Sequence, residues 1–394
     1  MKITWVVRGF SNYRVPVYKA LDDLCGHELT VIYYKECAPE NAQKKLKEII
    51  GVRAIARDNE IRLGNGPKFD NGTSTKKFIR IPFSPGLISQ ILKTKPDVLI
   101  SDTFTGWTYA PLTVNALKGI PHVMCYERTA HTERKASMLR KYHHKFVSRW
   151  IDTIDCNGKL SGEFVKDLLG WKDDRLTYGH MVADVSGMKK GVEYASNEQV
   201  QTLKEQYGIK GTVLLFVGQI ISRKGVKEMV EAWNVYKKQN KETEATLVIV
   251  GKGWQEEEIR ALISKKSITN VVFTGAIDYQ QMPVFYRMAD CFVLPTLEDN
   301  WSLVIPEAMA CGLPVATTIY NGCYPELVKP ENGWVFDSLN KQSIVDTFRK
   351  IIEAKDYLKE MGQVSKRIVA GHTAENAAKG IMEAIEKANK RHKK

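Results

Sequence analysis

Short, unbroken apolar runs recur along the chain, each followed by a stretch of helix length with one apolar face. In the first half they are ITWVV (3–7), LTVIYY (29–34), DVLIS (97–101) and HVMCY (122–126). In the second half they are TVLLFVG (212–218), ATLVIVG (245–251), NVVFTG (270–275), CFVLP (291–295) and LPVAT (313–317). Runs of this length that are apolar on both faces predict parallel strands with helices packed on either side. The alternation pauses at DVSGMKKGVEYASNEQ (184–199), which is polar, carries Gly and Ser, and reads as a linker. Two doubly wound α/β domains are therefore expected, residues 1–190 and 191–372, followed by a helix and basic tail over 373–394 that packs back on the first domain. Open parallel sheets bind ligands beyond the carboxyl ends of their strands, so the informative residues are those in the loops that follow these runs.

Composition narrows the classes. The 394 residues are 43% hydrophobic and 26% charged, as in a soluble ordered protein, and the apolar stretch at the N-terminus ends at Arg8, too soon for a signal-peptide core. The seven cysteines form no C-x-x-C pair and read as reduced core thiols of a cytosolic protein. A net charge of +13 admits nucleic acid, an anionic membrane face or a small anionic substrate as partner. Neither zinc-finger spacing nor an aromatic RNA-binding motif is present, so nucleic acid is not the expected partner. No strand is followed by G-x-G-x-x-G, which argues against a dinucleotide oxidoreductase. No metal and no cofactor are expected.

Two loops of the second half carry chemistry. In TLEDNWSLVIPEAMACG (296–312), Ser302 reads as a helix N-cap, with Gly312 as the stop. Free amides from Trp301 to Val304 suit a phosphate, while Asp299 and Glu307 supply acceptors for sugar hydroxyls. The plainer alternative is an acidic helix start stabilised by the helix dipole. In VGQIISRKG (217–225), Arg223 and Lys224 follow a strand end at Gly218, where two cations neutralise a departing pyrophosphate; the alternative is a solvated surface pair. Gly251, Gly275 and Ile277 lie in turns suited to backbone contacts with a base.

The phrase DNWSLVIPEAMACGLPVAT resembles the acid-x7-Glu signature of retaining glycosyltransferases of family 4, which have the GT-B fold: two Rossmann-like domains facing a central cleft. Asp299 stands where that family usually has Glu, and Glu307 matches the second acid. The match continues through Asn321, Gly322 and Glu326, then Glu331, Asn332 and Gly333. The resemblance implies that Asp299, Asn300, Trp301, Ser302 and Leu303 contact the donor sugar and phosphates, and that Glu307 holds the ribose. It also implies a phosphate role for Arg223 and Lys224, with Gln219 at a position where the family commonly has Arg.

The first half resembles the family less. Its first loop, VVRGFSNYRVP, looks like a branch that reads N-Y-R-x-P, and Gly9, Asn12 and Arg14 follow the first strand. Arg14 reads either as a cleft cation or as a cap or surface charge. Asp102 and Trp107 follow another strand, with core the alternative for Trp107. In HVMCYERTAHTERK, Glu127 is placed to orient or deprotonate an acceptor hydroxyl, and His131 reads as an acceptor contact or a surface histidine. From 128 to 149, seven cations face Glu133 alone, while Met138, Leu139, Tyr142, Phe146 and Trp150 recur at helical spacing. That pattern fits a helix lying on an anionic membrane, or an ordinary helix with a solvated basic face.

The expected activity is a retaining, metal-independent transfer of a sugar from a nucleoside-diphosphate donor to a hydroxyl. The acceptor is a glycan or glycolipid, a lipid-linked, lipopolysaccharide or capsule precursor in surface polysaccharide biosynthesis. The expected location is cytoplasmic, peripheral on the inner membrane face. Two alternatives stand beside it: a nucleotide-sugar 2-epimerase of the same fold, and a basic non-catalytic nucleic-acid-binding protein.

Overall fold

A computed structural model describes residues 1–63, 79–80 and 84–392. In the first half the apolar runs become β1 (Ile3–Val7), β2 (Leu29–Tyr34), β3 (Ala54–Arg57), β4 (Val98–Asp102), β5 (His122–Tyr126), β6 (Thr153–Cys156) and β7 (Leu176–Tyr178). They form one seven-stranded sheet in the order β3-β2-β1-β4-β5-β6-β7, every pair parallel. The second half adds β8 (Thr212–Val217), β9 (Ala245–Val250), β10 (Val271–Gly275), β11 (Cys291–Leu294), β12 (Val315–Thr318) and β13 (Gly333–Phe336). These form a six-stranded sheet ordered β10-β9-β8-β11-β12-β13, again parallel throughout. β1, β9 and β11 are buried along their whole length, which is why their sequences show no polar alternation.

In each sheet the strand order reverses once, between β1 and β4 and between β8 and β11. Loops diverge at such a switch and leave a crevice. The loops after β1, β4 and β5 therefore face those after β8 and β11.

Two boundary features differ from the sequence reading or extend it. The stretch read as a linker contains a helix, Val185–Tyr194, whose Met188 and Val192 join the core of the second domain. Arg287 fastens it by donating to the Val192 carbonyl at 3.1 Å. Val185, Met188 and Val192 share one helical face, but the surrounding Ser, Gly and Lys dilute the pattern. The C-terminal helix Ala374–His392 returns to the first domain. It buries Ala378, Ile381 and Ile385 in that domain's core, and Thr153 donates to the Ala384 carbonyl at 2.9 Å.

Candidate active site

The carboxyl ends of the two sheets enclose a cavity of about 580 Å³. The first domain lines it with Tyr13, Glu127, Arg128, Thr132 and Met181. The second supplies Val217, Gly218, Gln219, Arg223 and Lys224 from the loop after β8, and the run Glu298–Val304 from the loop after β11. A depression of about 970 Å³ lies elsewhere, along the helix Glu40–Ile50, but only one domain contributes to it.

The second-domain wall is built by stitching its two loops together. The Arg223 carbonyl accepts from the Leu297 amide at 2.8 Å and from Thr296 Oγ1 at 3.0 Å. This brings Lys224 against Asp299 as a largely buried ion pair. Ser302 Oγ donates to Asp299 Oδ2 at 2.5 Å, and the Trp301 amide to Oδ1 at 3.3 Å. Burial works to raise the Asp299 carboxyl, but Lys224, Ser302 and Arg223 together hold it below its ordinary value. Asp299 is thus a fixed anion that positions Lys224 and the loop. Arg223 has a looser tie, donating to the Glu298 carbonyl at 3.4 Å, and has no carboxylate partner among the described residues.

This geometry corrects the helix start. The helix is Val304–Ala310, and the residue at its cap is Leu303, with no side-chain bond. Ser302 does not cap it, because its hydroxyl donates to Asp299 instead of accepting from the helix. The Trp301 amide is likewise taken by Asp299, whereas the amides of Leu303 and Val304, which line the cavity, have no acceptor among the described residues.

Glu307 lies one turn beyond Leu303, on the same face but outside the cavity lining. Its carboxylate accepts from Tyr279 Oη at 3.3 Å and Tyr286 Oη at 3.2 Å. Burial pushes it up to about 7, the two hydroxyls work against that rise, and Asp184 adds to it. Sequence reasoning missed both tyrosines, whose separation from Glu307 in the chain gives no local signal. Gly251, Gly275 and Ile277 also lie outside the cavity lining. Gly251 has φ +141° and meets the Gly218 carbonyl where a Cβ would stand, so it is required for packing between the β8 and β9 loops. The Gly251 amide donates to the Gly275 carbonyl at 2.8 Å, and Ile277 packs on the second-domain core.

The first-domain wall differs most from expectation. Arg14 is buried: it donates to Asp102 Oδ2 at 3.2 Å and lies over the Trp5 ring at 5.3 Å. Asp102 also accepts from Trp5 Nε1 at 3.0 Å. The pair is spent inside the domain and is not an acceptor contact. Trp107 is fully buried core, donating from Nε1 to Glu60 at 2.9 Å. Gly9 is absent from the cavity lining, and the Cys37 carbonyl occupies the space its Cβ would need. Asn12 is exposed at the start of a short 3-10 turn and does not line the cavity. His131 is an interdomain strut: its Nε2 donates to the Leu297 carbonyl at 2.9 Å and its ring stacks on Tyr320 at 4.6 Å. Glu127 alone of the first-domain candidates lines the cavity. Its carboxylate has no hydrogen-bond partner among the described residues. Burial raises it, Arg14 and Arg128 oppose the rise, and Asp299 across the cleft adds to it. Tyr13, Thr132 and Met181 complete that wall and were not singled out from the sequence.

The segment between Glu127 and the basic helix closes the cleft from one side. Arg134 pairs with Glu298 at 2.7 Å, and the Lys159 amide donates to Glu326. The basic helix itself spans Met138–Val147, with Ser137 capping the Arg140 amide. Buried Glu133 takes Arg128 at 2.8 Å and Arg140 at 3.0 Å. Val147 anchors this helix in the first-domain core, but four of its apolar residues do not face the core: Met138 is 61% exposed, Leu139 79%, Tyr142 65% and Phe146 52%.

Residues 199–368 match the family model described as Glycosyl transferases group 1. The chain is 26% identical over 157 residues to a mannosylfructose-phosphate synthase of Agrobacterium fabrum, an alignment that spans only 35% of that protein's length. It is 22% identical to the Arabidopsis thaliana sulfoquinovosyl transferase SQD2 over 91% of this chain and 67% of that one. An alpha-monoglucosyldiacylglycerol synthase of Acholeplasma laidlawii is 24% identical, with 74% of this chain and 75% of that one covered. In fold the chain superimposes on Anabaena Alr3699/HepE, solved in complex with UDP and glucose, with a TM-score of 0.72, 15% identity, and 98% and 99% of the two chains covered. The switch-point cleft, the parallel sheets and these matches agree: the chain has the GT-B fold, and its residues 199–368 form a group 1 glycosyl transferase domain.

Proposed function

We propose that the protein is a retaining, family-4 glycosyltransferase that moves a sugar from a nucleoside diphosphate to a hydroxyl of a membrane-borne glycan or glycolipid precursor. The observation that carries this reading is the pairing of unlike walls in one cavity. One wall offers Arg223 and the open amides of Leu303 and Val304, which suit a pyrophosphate; the other offers the unpartnered carboxylate of Glu127, which suits a hydroxyl. In the proposed reaction the bond between the anomeric carbon and the phosphate oxygen breaks. The acceptor oxygen bonds to the same carbon on the same face, and its proton passes to the departing phosphate. Arg223 and the open amides take up the charge that develops on the leaving group, while Lys224, fixed by Asp299, adds to the positive field. Glu127 orients the acceptor hydroxyl. Glu307 reads the ribose at the far end of the donor. The step calls on no metal, since these cationic contacts supply the neutralisation.

The membrane part of the proposal rests on the helix Met138–Val147. Four large apolar side chains stand exposed beside Lys141, Lys145 and Arg149, and this helix continues from the segment that closes the cleft. Met138 and Leu139, the aliphatic members, offer no stacking face to a nucleic-acid base, and a purely solvated basic face has no use for four exposed apolar side chains. For the 2-epimerase alternative, the described cavity residues include no histidine to join Glu127 at the sugar ring.

The test is a panel of nucleotide sugars screened by thermal shift, led by UDP-hexoses because the Anabaena structure holds UDP and glucose. A donor should raise the melting temperature by mass action, and release of nucleoside diphosphate should depend on added acceptor. Isomerised donor formed without acceptor would favour the epimerase. No stabilisation by any nucleotide sugar would refute the donor site.

A further inference from the structure

Beneath the first-domain wall lies a group of side chains that the transfer reaction does not use. Cys125 is the last residue but one of β5, Asp155 lies beside it in register on β6, and His180 follows β7. All three are at most 1% exposed. A ring nitrogen, a thiol sulfur and a carboxylate oxygen from them lie within 4.8 Å of one another.

Two of these donors have no partner. Asp155 Oδ1 accepts from Thr177 Oγ1 at 3.0 Å, but Oδ2 is buried with nothing to accept from, and His180 Nδ1 is equally alone among the described residues. The two atoms are 3.7 Å apart, too far for a hydrogen bond. Two ligands on one tetrahedral zinc ion, at bonds of about 2.0–2.3 Å, lie roughly 3.3–3.6 Å apart. The Tyr18 hydroxyl, also buried without a partner, stands within electrostatic reach of Cys125.

Charge points the same way. Arg14, the nearby cation, is paired with Asp102, and among the described residues no Lys or Arg pairs with Asp155. Two carboxylates and a thiolate against one guanidinium and one dication leave no net charge in the buried layer. A sulfur, a nitrogen and an oxygen on rigid neighbouring elements are a donor set that selects zinc over magnesium or calcium.

We propose that Cys125, Asp155 and His180 bind one zinc ion, with a water as fourth ligand, as a structural staple beneath the cleft. The ion joins β5, β6 and the loop after β7. Glu127 lies two residues beyond Cys125, and Met181 directly follows His180, so the staple fixes both cavity residues from below. It is closed off from the cavity and takes no part in transfer.

The test uses the full-length chain. Protein purified from zinc-replete medium should carry about one zinc per molecule, and chelation should lower its melting temperature. Reloading with cobalt(II) alone should give the near-ultraviolet thiolate-to-cobalt band together with strong visible bands of a four-coordinate ion. Cys125→Ser should lose the thiolate band. Zinc below about a tenth of an equivalent, with a melting temperature indifferent to added zinc and to chelator, overturns the proposal. So does a thiolate band that survives in Cys125→Ser, because the ion is then bound elsewhere. Should the variant fail to fold, the zinc content, the chelation response and the cobalt spectrum of the wild-type protein decide alone.

Discussion

Replacing Glu307 with glutamine keeps the shape of the side chain and removes its titration. In the folded protein burial pushes this carboxyl up to about 7, from an ordinary value of 4.5. Between those values the folded chain holds a proton that the unfolded chain has released. The stabilisation is therefore complete below about pH 4.5 and is lost as pH rises through about 7. The gap at 1.4 kcal/mol per pH unit comes to about 3 kcal/mol. Because the carboxyl keeps some access to solvent, about 2 kcal/mol is the working figure. Melting temperatures of wild type and Glu307→Gln, recorded from pH 5 to 8.5, should diverge with rising pH in favour of the variant. At roughly 2–4 °C per kcal/mol for a domain of this size, the divergence should reach about 4–8 °C. A difference that stays constant over this range refutes the burial argument.

The same titration separates stability from donor recognition. A nucleotide sugar has no group of its own that ionises between pH 6 and 8, so any change in its affinity there comes from the protein. If the ionised Glu307 accepts from ribose hydroxyls, wild-type affinity should fall about tenfold per pH unit below 7, and the glutamine variant should show a flat profile. Equal donor affinity of the two proteins at pH 8, measured by calorimetry, removes Glu307 from ribose recognition even if the melting behaviour is as expected.

Other side chains should respond in distinguishable ways. Lys224→Met strands the buried Asp299 carboxylate and should cost roughly 3 kcal/mol in urea unfolding, with most of the loss recovered on adding Asp299→Asn. Arg223→Ala should leave unfolding within about 0.5 kcal/mol of wild type yet weaken nucleotide-sugar binding by roughly 10–100-fold, the worth of one charge-assisted contact. Glu127→Gln should bind donor normally in calorimetry and lower turnover by about 100-fold or more. Leu139→Glu combined with Phe146→Glu should abolish sedimentation with anionic vesicles while leaving transfer to a water-soluble acceptor intact, and neutral vesicles should bind wild type weakly.

The strands and the second-domain wall were legible because their signals are local. A strand buried on both faces, such as β9 or β11, needs only its own residues to be recognised. Arg223, Lys224, Gly218 and the run from Asp299 to Leu303 each follow a strand end directly, and both loops end in the cavity. What the residues do within that wall was less visible. Ser302 has the right type and position for a cap, but Asp299 lies three residues earlier and takes its hydroxyl. The competition between a cap and a buried carboxylate is settled by burial, which the sequence does not display.

The first-domain wall was illegible for a different reason. Asp102 closes β4, and Arg14, Trp107 and His131 follow strand ends, where ligand contacts are expected, yet each is spent on a partner far away in the chain. Arg14 and Asp102 meet because β1 and β4 are neighbours across the switch point, a consequence of strand order and not of spacing. Trp107 finds Glu60, and His131 finds Leu297 in the other domain. Once these partners are subtracted, Glu127 is the one candidate carboxylate on that wall left without a bond. Its availability follows from the packing around it: Arg14 and Asp102 in the buried layer beneath are spent on each other, and Glu127, which stands above that layer, keeps its oxygens for the cleft. The sequence names the groups able to do chemistry, and the three-dimensional pairing decides which of them remain free to do it.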